Sequence, residues 1–334
     1  MDKRKAAAIF LAVLAALLYA ASMPFSKLLL IEVEPTFLAS FLYLGAGVGI
    51  GILYVFGKVR KREHEVKLTS KDLPYTVGMI VLDIAAPILL MAGLTSAASS
   101  NASLLGNFEI VATSILAMLV FREKISARLW AAIALITAAS ILLSFEDLSA
   151  FRFSNGSLFI LGATVCWGLE NNCTRKLSSK NTYQIVTLKG IFSGLGSFLV
   201  ALIQGEHLPA ARFVLYAMFL GFLAYGFSIF LYIRAQKELG AAKTSAYYAV
   251  APFAGAFLSF LILKEPIGSS YCAALSIMLA GSVLVVVDTM IRNHSHLHTH
   301  TFVHIHDGKI HMHTIEHSHE HTHLVEDHTH LHHH

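Results

Sequence analysis

Ten long apolar runs follow one another along the 334-residue chain, and they limit its possible folds more than any other feature. About 20 apolar residues span the hydrocarbon core of a bilayer, where every backbone amide needs an internal partner. The composition agrees, since 55% of the residues are hydrophobic and 14% are charged. We therefore predict an all-α integral membrane protein of ten helices, the first being a spanning helix and not a signal peptide, at roughly 6–30, 35–57, 73–93, 97–121, 127–146, 156–177, 182–203, 211–235, 241–263 and 268–289.

The distribution of Lys and Arg predicts the orientation. If the N-terminus is cytoplasmic, the inner segments carry 20 of the 25 basic residues and the outer segments carry four, with Lys189 inside a helix. Such a bias favours the arrangement with the positive loops inside. We expect a multi-pass protein of the plasma (cytoplasmic) membrane with both termini in the cytoplasm.

Two of the apolar runs match when one is shifted by 142 residues. The runs are 99–125 and 240–267, and the shift superimposes identical residues at Ser103/Ser245, Ala112/Ala254, Leu116/Leu258, Leu119/Leu261, Glu123/Glu265 and Ile125/Ile267. A shift of 148 relates the first helix to the sixth. Because five helices per repeat is an odd number, the second repeat enters the membrane inverted, which is typical of secondary transporters with a substrate site near the midplane. The predicted units are 1–146, 154–290 and a tail at 291–334.

Short motifs in both halves resemble the EamA-type repeat of the drug/metabolite transporter superfamily. They are the segments 19–22 and 167–168, each followed by a basic residue, Lys27 or Arg175, and the aromatic stretch 247–253. The resemblance covers about 6–289 and implies ten helices in two inverted bundles and transport of amino acids or other small metabolites. Where the fourth helix of the repeat commonly has a proline, the first half has Ile110 and the second half Pro252. A helix break is therefore expected in the second half alone.

Four ionisable residues fall inside predicted helices, where a charge is costly and marks a candidate functional site. Asp83 and Glu109 lie at similar depth near the midplane and could bind a cation or share a proton; alternatively, they face a crevice or bond to backbone groups. Glu170 and Lys189 lie at equal depth beside a hairpin, which predicts an ion pair that is either structural or part of an inner gate. The surplus of negative charge favours a cationic or zwitterionic substrate, or proton antiport.

Aromatic residues in several helices are candidates for the wall of a cavity. Tyr225 corresponds to Asp83 under the shift of 142 residues, and it joins Tyr19, Trp167, Tyr247 and Tyr248 in this set. Interfacial anchoring or core packing is the alternative. Closely spaced glycines in the second and seventh helices are interpreted as close helix packing.

The tail holds 17 of the 19 histidines, most of them alternating with other residues. Asp307 and Gly308 predict a two-residue hairpin turn that pairs residue 304 with 311 and 305 with 310. Imidazoles on one face suit Zn²⁺, Ni²⁺, Co²⁺ or Cu²⁺. Only 332–334 resemble an expression tag. The candidate ligands are His294, His296, His298, His300, His304, His306, His311, His313, His317, His319, His321 and His323.

These features together predict a secondary transporter, and not an enzyme, that exports a small zwitterionic or cationic metabolite by alternating access and needs no cofactor for transport. Its partners would be the lipid bilayer, a small-molecule substrate and divalent metal ions at the tail, with no nucleic acid, as a monomer or homodimer. The alternatives are a divalent-metal exporter fed by the tail and a membrane-anchored metal sensor.

Overall fold

A computed structural model describes residues 3–60, 68–122, 124–147, 152–177, 180–239, 241–306 and 309–324, and for 291–324 it describes the backbone. The helices are α1 Lys3–Ala20, α2 Ser22–Leu29, α3 Pro35–Arg60, α4 Leu73–Ser96, α5 Ser99–Leu105, α6 Phe108–Phe121, α7 Ala127–Ser144, α8 Asn155–Lys176, α9 Thr182–Gln204, α10 Ala211–Gly221, α11 Ser228–Leu239, α12 Ala241–Tyr248, α13 Ala251–Leu263 and α14 Ser269–Met290. A π-helical turn, Phe222–Phe227, joins α10 to α11. The strands are β1 Phe145–Asp147, β2 Arg152–Phe153, β3 Ile291–His306 and β4 Lys309–Leu324.

Nine stretches of helix in the described part of the chain are long and apolar enough to cross a membrane. Helix α8 occupies the place of the predicted sixth span and has 22 residues, but it is not among the nine. Its last turns carry Glu170, Asn171 and Asn172, which lower its hydropathy. The structure therefore supports a multi-pass membrane protein with nine spans on these criteria, and ten spans remain a prediction.

Helices from the two halves of the chain pack against one another. Helix α3 lies along α9, α4 along α8, α7 along α14 and α1 along α11. Glycines allow the closest approaches: a Cβ added to Gly93 would lie 2.6 Å from the carbonyl oxygen of Gly156, and one added to Gly190 would lie 2.5 Å from the Cα of Gly47. The glycine spacing in the second and seventh helices thus serves close packing, as predicted.

The matched runs share their boundaries as well as residues. Helices α5 and α12 begin at 99 and 241, and α6 and α13 end at 121 and 263, which is the same offset of 142 residues. Each pair ends on a residue in the left-handed region, Arg122 with φ 56° and Lys264 with φ 54°. Glu265 then accepts hydrogen bonds from the backbone N–H groups of Ser99 (2.6 Å) and Ser100. Its predicted counterpart, Glu123, lies outside the described residues.

The expectation of a helix break in the second half alone is wrong, because both halves break at the same place. In the first half, turn residues Gly106 and Asn107 separate α5 from α6 although no proline is present. The Asn107 side chain donates to the carbonyl of Leu104 at 3.1 Å, and the N–H of Glu109 donates to the carbonyl of Gly106. Glycine has low helix propensity, and the amide side chain competes for backbone partners, so the two residues replace proline as the helix breaker.

Polar contacts join the helices at the end of the bundle opposite the start of α1. The Lys27 ammonium donates to the carbonyls of Leu94, Thr95 and Ala97 at the end of α4. Glu206 accepts from the N–H groups of Thr36 and Phe37 at the start of α3. Lys27 and Glu206 thus stabilise helix ends whose backbone groups lack partners within the helix.

The tail backbone forms an antiparallel pair of strands. His304 lies opposite His311 and Ile305 opposite Ile310, which is the predicted register. The predicted turn residues, 307 and 308, lie outside the described residues, as do 325–334.

The contact between α4 and α8 predicts a strong difference between two glycines of α8. Gly156→Val should destabilise the protein by about 1–3 kcal/mol, because its side chain would overlap the backbone of α4. Gly162→Ala is the matched control, since the added Cβ meets only the Leu89 side chain, at 3.5 Å. Thermal denaturation of the two purified variants in detergent measures the difference. Equal melting temperatures would contradict this packing.

Candidate substrate cavity and buried charge network

A cavity of about 950 Å³ lies between the two halves of the chain. Its lining includes Gln236 and Thr289, near the ends of α11 and α14, and Ile185 and Ser245, near the starts of α9 and α12. Because neighbouring helices run in alternating directions, these ends lie on the side of the bundle where α1 begins. The cavity therefore extends from the middle of the bundle towards that side, away from the contacts made by Lys27 and Glu206.

Glu109 lines this cavity at the second residue of α6, directly after the helix break. Asn171 of α8 donates from its amide nitrogen to Glu109 Oε1 at 2.7 Å and to the Thr113 hydroxyl at 3.3 Å. Among the residues that the structure describes, no basic side chain lies within 4 Å of the Glu109 carboxylate. A neutral amide thus orients Glu109 without neutralising its charge.

Lys189 of α9 lies between the other two membrane carboxylates. Its ammonium is 3.0 Å from Asp83 Oδ2 and 3.2 Å from Glu170 Oε1, so it joins α4, α8 and α9. The predicted ion pair of Glu170 and Lys189 is therefore present and includes a third member. Asp83 is fully buried and is not among the residues lining the cavity. The structure thus brings Asp83 together with Lys189 and not with Glu109.

Neutral donors complete the coordination of these carboxylates. The Tyr43 hydroxyl donates to Asp83 Oδ1 at 3.1 Å and accepts from the Trp167 ring nitrogen at 3.3 Å. The Thr174 hydroxyl donates to Glu170 Oε1. One cation and several hydroxyls thus serve two buried acids, as burial of such charges requires.

Five tyrosines form a continuous wall along the cavity. Ring centroids are 5.9 Å apart for Tyr43 and Tyr225, 5.7 Å for Tyr225 and Tyr19, 5.9 Å for Tyr19 and Tyr248, and 5.1 Å for Tyr248 and Tyr232. Tyr225 belongs to the π-helical turn, a kind of irregularity frequent at functional sites. All five rings, and that of Trp167, line the cavity.

The aromatic residues predicted from sequence are placed there with one exception. Tyr247 is 38% exposed on the outside of the bundle and does not line the cavity, whereas its neighbour Tyr248 does. Two members of the wall, Tyr43 and Tyr232, were missed. The depth of Tyr43 within its helix was an available signal, because anchoring tyrosines lie at the membrane interface. Tyr232 lies near the end of a helix, where it could not be distinguished from such an anchor.

A sequence profile described as the EamA-like transporter family matches this chain twice, over residues 6–145 and 154–287. The chain belongs to the EamA-like transporter family. An uncharacterized transporter of Methanothermobacter thermautotrophicus is 25% identical over 285 residues, covering 80% of this chain and 82% of the relative. A crystal structure of another protein matches with a TM-score of 0.60 and 15% identity, over 85% of this chain and 97% of the other, which concerns the fold alone.

Metal ligands are absent from the cavity of this EamA-like protein as far as its side chains are described. No group of three or more His, Cys, Asp or Glu side chains that could hold a metal ion occurs among those residues. Cys166, Cys173 and Cys272 are free thiols. The twelve candidate histidine ligands of the tail belong to 291–324, where the backbone alone is described.

The position of Lys189 predicts a large and reversible loss of stability. Lys189→Met should destabilise the protein by roughly 3–5 kcal/mol, because it leaves two buried carboxylates without a cation. Adding Asp83→Asn should recover part of that loss, since one of the stranded charges is removed. Arg128→Met is the control, because Arg128 forms a partly exposed pair with Asp288 and such pairs contribute about 0–1 kcal/mol. Melting temperatures that fall equally for Lys189→Met and Arg128→Met would contradict the assignment.

Proposed function

We propose that this EamA-like protein is a secondary transporter that exports a small cationic or zwitterionic metabolite, such as an amino acid or amine. The observation that carries this proposal is the Glu109 carboxylate, which faces a tyrosine-walled cavity and has no basic partner among the described residues. A carboxylate binds an ammonium group through charge-assisted hydrogen bonds. Aromatic faces attract the same group through their negative quadrupole. The cavity, at about 950 Å³, is in the size range of small-molecule sites.

The charge balance of the lining argues against an anionic substrate. Lys189 is the one basic residue among the cavity-lining residues, and it lies within ion-pair distance of both Asp83 and Glu170. An anion entering the cavity would meet Glu109 and would have to displace a buried carboxylate to reach the ammonium. A cation meets neither obstacle, so the sign of the cavity favours it.

The same site gives a simple scheme for proton antiport. A proton and a cationic substrate that compete for the Glu109 carboxylate exclude each other, so the carboxylate carries one or the other when the cavity changes its side of access. Asn171 holds the carboxylate in place in both cases. The contacts of Lys27, Glu206 and Glu265 at the opposite end would have to open for release on that side.

We further propose ten spans in two inverted repeats, with α8 as the sixth span and both termini cytoplasmic. The packing of α8 along α4 and the bias of basic residues support this arrangement. The cavity would then face the cytoplasm, as the loading state of an exporter requires. Single cysteines at His64 and His207 should label from opposite sides of the membrane, and labelling from the same side would contradict the topology.

Neither alternative gains support from the cavity. Among its lining residues there is no histidine or cysteine, the side chains that bind transition metals most readily, so we do not propose a transition metal as the transported substrate. A membrane anchor for a sensor has no need of a cavity of this size between two packed halves.

A matched set of three compounds tests the substrate class and the role of Glu109. In proteoliposomes with an imposed proton gradient, leucine or its decarboxylated amine should be transported, and the deaminated acid should not. Glu109→Gln should reduce that flux about 10- to 100-fold, because a hydrogen bond to a charged group contributes roughly 1.5–3 kcal/mol. Glu32→Gln, an exposed residue outside the cavity, is the matched control.

Two outcomes would contradict the proposal. Transport of the acid at the rate of the amine would exclude a cation site. Equal fluxes in Glu109→Gln and Glu32→Gln would show that the Glu109 charge takes no part.

A further inference from the structure

The strand register of the tail has a consequence for its histidines. Every even-numbered position of β3 lies opposite an odd-numbered position of β4, as in the pairing of His294 with His321 and of His304 with His311. Directly opposite positions share one face of a hairpin, and successive positions along a strand alternate between faces. All twelve histidines of the two strands therefore fall on one face: His294, His296, His298, His300, His304 and His306 of β3, and His311, His313, His317, His319, His321 and His323 of β4.

The opposite face of the same hairpin has no histidine within β3 and β4. It carries residues such as Ser295, Leu297, Ile305 and Glu320. A shift of the register by one position would move the histidines of one strand to that face, because the side-chain period of a strand is two residues. The separation of the faces thus depends on the register and is not a result of composition alone.

Four positions pair histidine directly with histidine across the strands: 294 with 321, 296 with 319, 298 with 317, and 304 with 311. Directly opposite Cβ atoms lie about 4.5–5.5 Å apart. Neighbouring positions on the same face of one strand lie about 7 Å apart. Two imidazoles on such positions can reach one ion at a metal–nitrogen distance of about 2.0–2.1 Å.

Two apolar positions divide the histidine face into two clusters. Phe302 lies opposite His313, and Ile315 lies opposite His300. On the turn side of this division are the four positions 304, 306, 311 and 313, which we call the turn cluster. On the membrane side are the eight positions 294, 296, 298, 300, 317, 319, 321 and 323, which we call the proximal cluster.

We propose that the hairpin β3–β4 is a transition-metal site in which histidines of the two strands jointly bind at least one ion in each cluster. Neutral imidazole ligands suit Zn²⁺, Co²⁺, Ni²⁺ and Cu²⁺. Four histidines in the turn cluster match the four-coordinate preference of Zn²⁺. The site is separate from the transport cavity, and it does not depend on the proposed substrate.

A variant with unchanged composition tests whether the register creates the site. The exchanges H317S/S318H, H319E/E320H and H321T/T322H keep the number of histidines but move three of them to the other face of β4. Equilibrium dialysis with Zn²⁺, and Co²⁺ absorption spectra, are measured on the full-length protein in detergent, with H332Q, H333Q and H334Q in every sample to remove the terminal histidines.

The exchanged variant should bind Zn²⁺ in the proximal cluster at least 10-fold more weakly, whereas the turn cluster keeps its ion. The complementary variant H304Q/H306Q/H311Q/H313Q should lose the turn ion and keep the proximal one. Unchanged stoichiometry and affinity in the exchanged variant would overturn the proposal, because metal binding would then follow histidine number and not register. Absence of stoichiometric Zn²⁺ binding by the protein carrying only the terminal substitutions would overturn it as well.

Discussion

The Lys189 ammonium between Asp83 and Glu170 is the interaction on which the membrane part of this structure depends. Two carboxylates and one ammonium are removed from water there, and each is costly in that environment unless it has partners. The 3.0 and 3.2 Å contacts join α4 of the first half to α8 and α9 of the second. Because Lys189 is held by Asp83 and Glu170, it leaves Glu109 as a carboxylate facing the cavity without a counter-ion among the described residues.

Helix breaks and close packing place these groups together. The turn at Gly106 and Asn107 directs Glu109 into the cavity, and the corresponding turn in the second half brings Tyr248 to the opposite wall. Glycines at the contacts of α3 with α9 and of α4 with α8 bring the backbones of the two halves close enough for side chains to meet across the boundary. Contacts of Lys27, Glu206 and Glu265 join helix ends on the far side. The result is a cavity with access from one side, which is one of the two states that alternating access requires.

Sequence reasoning predicted the helices and the offset of 142 residues, because hydropathy and exact spacing are properties of the chain itself. It predicted the contact of Glu170 with Lys189 because both flank one hairpin. It did not predict that Asp83 would join them, since depth along a helix does not give the direction in which a side chain faces. Tyr247 and Tyr248 show the same limit, because adjacent residues on a helix point about 100° apart and one of the two faces lipid. The first-half break was missed because proline was taken as the breaker, although Gly106 and Asn107 serve the same purpose.

The central claim is that the cavity of this EamA-like protein binds an organic cation through Glu109, and its two tryptophans allow a direct measurement. Trp130 is 45% exposed on the outside of the bundle, whereas Trp167 lines the cavity. In a Trp130→Phe background, choline should change the Trp167 fluorescence saturably, and its uncharged isostere 3,3-dimethylbutanol should not. Adding Glu109→Gln should abolish the choline response. An equal response to both compounds, or a choline response that survives Glu109→Gln, would contradict the claim.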